Sequence, residues 1–445
     1  MGVTSEVREP TRNGVPVATT ADERIRRPEP VAKPWISMQS VNVRRHAAAL
    51  RPFTDGEFGT GAAAPSRAHV QAVNELFQGL RTVLLERADA VNTQSKDAVR
   101  RGDSATLERL LVSKDMAHNQ VRAIERVWDF YFELFGQRQS EFAPWLLACD
   151  RIALDCYQVA FMHTGTAKTI PAPAPYCYMR TGFAPATFRR AIPLRRLGQL
   201  LNPFPLVQLP YHRLVNPWTL GAVLHEVSHN LQNDLGLARA VPRAVADALL
   251  KAGLPRPVAG IWTRWNREAF ADLAGVLLGG PEIVGSLFDV IGRAPAVALE
   301  FNPSGVHPTP YLRGLLNVEM LQRMGFDDQA AQYGRLWRRL YPDPGRGGMP
   351  ALLLRTAAKA IPVFVDAVCY QPMPELGGKP LSKVLQFGGK EDAIVRQAAG
   401  RLAAGNDPGI VPERFLISAS RSALNNRLAR PGVIHRNFYE ALGRR

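Results

Sequence analysis

Asn216-Pro217-Trp218-Thr219-Leu220-Gly221-Ala222-Val223-Leu224-His225-Glu226-Val227-Ser228-His229-Asn230-Leu231 is the stretch on which the reading of this chain turns. Asn216 followed by Pro217 predicts a helix start, with an Asn cap and a proline at the first helical position. Leu220, Leu224, Val227 and Leu231 recur at three and four residues, the stripe of a helix buried on one face. Gly236 is suited to close its C-terminus. The adjoining face carries His225-Glu226-Val227-Ser228-His229, an H-E-x-x-H pattern. Histidines at i and i+4 point the same way one turn apart, so both imidazoles reach a single zinc ion at about 2.0–2.1 Å. Glu226 stands beside such a metal rather than on it. There it can take a proton from zinc-bound water, whose pKa the metal lowers to about 7.

Working outward, Phe204-Pro205-Leu206-Val207-Gln208-Leu209-Pro210 reads as a strand just before this helix, at a sheet edge because of its prolines. Tyr176-Cys177-Tyr178-Met179-Arg180 reads as another short strand. Downstream, a helix is expected from about Pro257 to Leu278, anchored by Ile261, Trp265, Leu273 and Leu277. It contains Glu268-Ala269-Phe270-Ala271-Asp272, two carboxylates at i and i+4 on one face. One reading is a solvated acidic face, the usual place for acids. The other is a cation, since two carboxylates on an otherwise apolar helix are costly to bury alone. In that reading Glu268 is the third zinc ligand, and Asp272 is the outer acceptor that fixes a histidine's tautomer.

H-E-x-x-H followed by E-x-x-A-D resembles the gluzincin branch of the zincin metallopeptidases, most closely the HtpX-like and CaaX-type endopeptidases. That group also carries a later His-Pro with an arginine six residues after the histidine, and Val306-His307-Pro308-Thr309-Pro310-Tyr311-Leu312-Arg313 has that spacing. The resemblance covers roughly residues 204–315. It implies a zinc-dependent endopeptidase with His225, His229 and Glu268 as ligands and Glu226 as catalytic base. It also implies that His307 and Arg313 lie near the active site. Tyr311 is open between two roles: a hydroxyl donor to a tetrahedral oxyanion, and a helix-start aromatic packed on Leu315. His212 is a further candidate for the cleft, or a polar loop residue.

The remaining chain reads as mainly α with a small β component, a zincin-like core framed by helical segments. Residues 1–65 are rich in Pro, Gly, Ala and Thr without sustained periodicity, and predict a largely disordered or loosely packed arm. Residues 66–163 predict a bundle of three long helices. The first follows Ser66, the second is capped by Ser104, and the third runs from about Ser140 to His163. Cys149 and Cys156 share one face of the third as core residues. Residues 164–325 would form the catalytic core and 326–445 a C-terminal helical region. Substrate would lie extended, pairing with the Phe204–Leu209 strand.

The 445 residues are 46% apolar and hold no long uncharged apolar run, which excludes a wholly disordered chain and a transmembrane helix. No secretory signal is legible in the arginine-rich start, and Cys149, Cys156, Cys177 and Cys369 make no C-x-x-C pair. Both point to a cytoplasmic protein with reduced thiols, although release as an effector fits the same sequence. The net charge of +16 is uneven: Tyr157 through His225 contains no Asp or Glu. If that stretch lines the cleft mouth, acidic peptides are favoured. The function expected is thus hydrolysis of a peptide or protein substrate with Zn2+ as cofactor. The rival reading is a non-catalytic, zinc-stabilised helical protein whose basic surface binds nucleic acid or a partner.

Overall fold

The computed structural model describes residues 32–198 and 200–445. The chain is mainly helical with one small three-stranded sheet. Four helices come first: α1 (Ala32–Ala49), α2 (Arg67–Arg101), α3 (Ser104–Gly136) and α4 (Ala143–Met162). The strands follow, β1 (Tyr176–Arg180), β2 (Ala186–Phe188) and β3 (Leu206–Pro210). Then come α5 (Tyr211–Leu214), α6 (Gly221–Asp234), α7 (Leu237–Lys251), α8 (Arg256–Arg264), α9 (Asn266–Gly279), α10 (Glu282–Ile291), α11 (Pro295–Ala298) and α12 (Pro310–Arg323). The C-terminal part adds α13 (Asp327–Leu340), α14 (Ala351–Val365), α15 (Leu381–Val384), α16 (Gly389–Ala403), α17 (Phe415–Asn425) and α18 (Pro431–Gly443). Among the described residues no helix is long and apolar enough to cross a membrane.

The chain divides into two compact units that cut across the expected 66–163 bundle: the part up to Arg51 with Gly79–Ile124, and Pro52–Gln78 with Glu125–Arg445. In the smaller unit, α1 corrects part of the loose arm expected over 1–65. Pro34 sits in its first turn, where a missing N–H costs nothing. Ile36 and Val43 of α1 are buried with Ala88 and Val91 of α2 and Leu110 and Ala117 of α3. Ser95 donates to the Ile36 carbonyl at 2.9 Å. Residues 1–31 of that arm lie outside the described residues. The cap of α3 is Asp103, whose Oδ1 accepts the Thr106 N–H at 2.8 Å, rather than Ser104.

In the larger unit, one hydrophobic core runs from Leu146 to Leu442. Residues 326–445 therefore share the core of 164–325 and form no body of their own. Arg414 Nε on the Leu278 carbonyl at 3.1 Å and the Ser418 hydroxyl on the Gly279 carbonyl at 2.6 Å tie the two parts together, and a buried Asp155–Arg414 ion pair at 2.9 Å ties α4 to the C-terminal part. The four cysteines are buried and free, with Cys149, Cys156, Cys177 and Cys369 all in this core.

The strand order is β1-β3-β2, with β3 parallel to β1 and antiparallel to β2. This corrects the edge position expected for Phe204–Pro210. Pro210 ends the strand and Pro205 precedes it, so neither removes a donor from the middle of the ladder. The edges belong to β1 and β2 instead, and β2 is a three-residue strand too short to show a period. Behind the sheet α6 packs on α4 and most extensively on α9. A Cβ on Gly279 would lie 2.7 Å from Leu224 Cδ1, so glycine there lets α9 come close to α6.

Two expected helix boundaries shift. Asn216 makes no side-chain cap; its amide donates to the His212 carbonyl, and Pro217–Thr219 form a 3-10 turn before α6. Gly236 does terminate α6 in the left-handed region, at φ 84°. The helix expected over 257–278 is two helices, α8 and α9, meeting at Trp265 (φ −78°, ψ −4°). There the Asn266 side chain takes the Thr263 carbonyl at 2.6 Å.

Candidate active site

Helices α6 and α9 present their polar residues to each other across a cleft of about 560 Å³. His225 and His229, one turn apart on α6, turn their Nε2 atoms inward to 3.2 Å from each other. Glu268 on α9 faces both: Oε2 is 3.5 Å from His225 Nε2 and Oε1 is 3.6 Å from His229 Nε2. His225, His229 and Glu268 thus form a group that could hold a metal ion, with donor atoms all within 4.8 Å of one another. Ligands about 2.0–2.2 Å from one tetrahedral ion sit roughly 3.3–3.6 Å apart, close to the spacing here. Without an ion, one of these two ring nitrogens carries a proton and donates it to the other.

Asp272 lies one turn beyond Glu268 and is almost fully buried, its side chain 1% exposed. Its Oδ1 is 2.9 Å from His225 Nδ1. Arg313, from α12, donates to both oxygens, Nε to Oδ2 at 2.8 Å and Nη2 to Oδ1 at 2.7 Å. Asp272 thereby fixes the His225 ring with Nε2 toward the cluster, and Arg313 fixes Asp272. His229 has no such carboxylate at its Nδ1 among the described residues; its ion-pair contact, to Glu268, is through Nε2.

The charges follow from this packing. Burial pushes the Asp272 carboxyl up, but the Arg313 guanidinium and the His225 contact outweigh it and hold the carboxyl below its ordinary range. Burial likewise opposes ionisation of Glu268, yet the surrounding His225, His307 and His229 hold its carboxyl well below the usual range. Burial lowers His225, but its Asp272 and Glu268 partners raise it to about 10. Burial and the neighbouring His225 push His229 down to about 3. Glu226 is buried beside the cluster and lines the cleft. Burial lifts its carboxyl to about 7, against the pull of His225.

Of the residues in the His-Pro segment, His307 lines the cleft with its Nε2 3.3 Å from Glu268 Oε2 and its side chain 63% exposed. It stands outside the three-residue ligand group. Tyr311 is not part of the cleft. It lines a separate pocket with residues of α13 and α14, and its carbonyl accepts the Trp337 indole N–H at 2.9 Å. Residues two apart on a helix point to nearly opposite sides, so Tyr311 and Arg313 cannot both face Asp272. His212, on α5, stacks on Phe183 at 5.7 Å and is likewise absent from the cleft lining.

Three of the cations of the acid-free stretch are spent on structure. Arg190 donates to the carbonyls of Pro171, Ala172, Pro173 and Pro203, Lys168 to those of Leu235 and Glu375, and Arg180 pairs with Glu133. Arg189 does line the cleft, as does Arg267 of α9. Sequence reasoning missed the β2 wall (Ala186–Phe188), Arg267, Ser286 and Asn317, all cleft residues. Only Asn317 left a signal, sitting at i+4 from Arg313 and so on the same face of α12. Comparison of the chain with models of protein families, with curated proteins and with solved structures returned no match.

Proposed function

We propose that the protein is a zinc-dependent peptidase of gluzincin type, with Glu226 as the general base. The observation that carries this reading is the spacing of the His225, His229 and Glu268 donor atoms, close to the edges of a tetrahedral site, with the Glu226 carboxyl buried beside them. Three protein ligands with His307 standing off leave a fourth position open, the pattern of catalytic rather than closed structural zinc. Two imidazoles and one carboxylate suit zinc, which takes nitrogen and oxygen donors at such distances.

A bound zinc ion would supply Lewis acidity, polarising the scissile carbonyl and making water acidic near neutral pH. The chain's own residues do the rest. Glu226, a buried carboxylate beside the ligand group, accepts the proton of the attacking water and carries it toward the leaving amine. His307, exposed at the cleft, would exchange its Glu268 contact for a developing oxyanion and donate to it. Arg313 is engaged by Asp272 and acts through it, holding His225. An extended peptide would add to the sheet at β2, the edge strand that lines the cleft, and not at β3, which is paired on both sides.

The test is metal analysis together with a fluorogenic peptide pool, with and without chelator, on the wild type and Glu226→Gln. That substitution keeps the shape of the side chain and removes the base, so turnover should fall by about 10²–10⁴-fold with zinc content unchanged. Full turnover in Glu226→Gln, or none in the zinc-loaded wild type against any peptide, sinks the reading.

A further inference from the structure

Part of the cleft lining is apolar, and the hydrolytic machinery does not use it. Helix α10 turns Ile283, Ser286, Leu287 and Val290 toward the cleft, at the i, i+3, i+4, i+7 spacing of a single face. Beside their polar residues, the other helices add small ones to the cleft lining: Gly221 and Ala222 of α6, Ala271 and Gly275 of α9. Ile192 and Leu194 line it too. A serine in the middle of an apolar stripe is out of pattern. Its hydroxyl is buried and has no hydrogen-bond partner among the described residues. A Cβ on Gly221 would stand 2.7 Å from Ser286 Oγ, so the missing side chain is what leaves room for that hydroxyl.

Asn317 repeats the feature from α12. It is fully buried and its amide donates to the Arg313 carbonyl at 2.9 Å, while Oδ1 has no partner among the described residues. A buried acceptor left unpaired keeps its full desolvation cost. Two unpaired polar atoms in the lining of one apolar recess mark the places where a ligand's own polar group belongs.

We propose that this recess is a specificity pocket for a substrate side chain that is apolar along its length and carries a hydroxyl at its tip, namely tyrosine. The ring lies among Ala222, Ile283, Leu287 and Val290. The phenol O–H donates to Asn317 Oδ1 and its oxygen accepts from the Ser286 hydroxyl, groups that phenylalanine would leave unpaired. Aliphatic and polar side chains each satisfy only one half of the lining. The pocket lies beside Glu226 on α6, so the tyrosine is a residue flanking the cleaved bond. In that form the inference rests on the peptidase reading.

The experiment has two arms. In the first, the zinc-loaded protein digests peptide pairs that differ only by Tyr or Phe at each position in turn, with cleavage sites mapped by mass spectrometry. Tyrosine beside the cleaved bond should be preferred by about tenfold, and the ratio should fall toward one in Ser286→Ala and in Asn317→Leu. In the second, p-cresol and toluene are titrated against the metal-free protein by ligand-observed NMR. p-Cresol should bind about tenfold more tightly, and both variants should erase the difference. Equal binding of the two probes, or a p-cresol preference that survives both substitutions, overturns the pocket. If p-cresol behaves as expected while no peptide is cut, the pocket stands and the peptidase reading falls. Ser286→Ala removes only a hydroxyl, so it keeps the test open should Asn317→Leu not fold.

Discussion

Replacing Arg313 by methionine separates what the Asp272–Arg313 pair does for the fold from what it does for the metal. Both side chains are buried, 11% and 1% exposed, and Arg313 meets Asp272 through two hydrogen bonds at 2.7 and 2.8 Å. Methionine fills most of the space and leaves the Asp272 carboxylate without its cation. Breaking such a pair from one side costs about 3–5 kcal/mol, since the stranded charge keeps its full desolvation penalty. Removing both partners, as in Arg313→Met with Asp272→Leu, leaves neither half of the pair stranded, so most of that stability should return. Metal affinity should not return with it. Asp272 is the group on His225 Nδ1, and losing such a support costs about 10–100-fold in affinity. Urea denaturation of the metal-free proteins measures the first quantity and zinc titration against a competing chelator the second. The expected pattern is a stable wild type, an unstable Arg313→Met and a recovered double variant, with zinc weakened in both variants. A double variant no more stable than the single one would refute the charge-stranding account. Wild-type zinc affinity in the double variant would refute the role given to Asp272.

Glu268→Ala should be nearly metal-free, because two histidines alone hold zinc weakly, whereas Asp272→Ala should lose about 10–100-fold in affinity and recover when zinc is added; parallel titrations would expose a reversed assignment. His307→Ala should keep its zinc and lose turnover, as measured by metal analysis and peptide hydrolysis. Loss of zinc in that variant would mean a closed, structural site. Charge reversal at Arg189 and Arg267, the cleft arginines, should raise KM for acidic peptides more than for neutral ones, and added salt should shrink the difference. The same kinetics on both peptide sets at low salt would show that these cations do not meet substrate.

Local chemistry determined a large share of this molecule from sequence alone. The i, i+4 placement of His225 with His229, and of Glu268 with Asp272, put each pair on one helix face before any partner was known. The apolar stripes that drive α2, α3, α4 and α6 are readable because a period of 3.6 persists over many residues. Short or non-local features were not legible. β2 has three residues and no period, so the sheet order and the edge available to a substrate emerged only when β3 was seen between two partners. Tyr311 and Arg313 share one motif, yet the phase of α12 against α9 sent one into a second pocket and the other onto Asp272. The distances among His225, His229 and Glu268 depend on how closely α6 and α9 approach, which Gly279 and the packing around it decide. Ser286 and Asn317 look ordinary in the sequence. Only the tertiary structure shows that their polar atoms are buried in one recess without partners, because satisfaction of a hydrogen bond is a property of the surroundings and not of the residue.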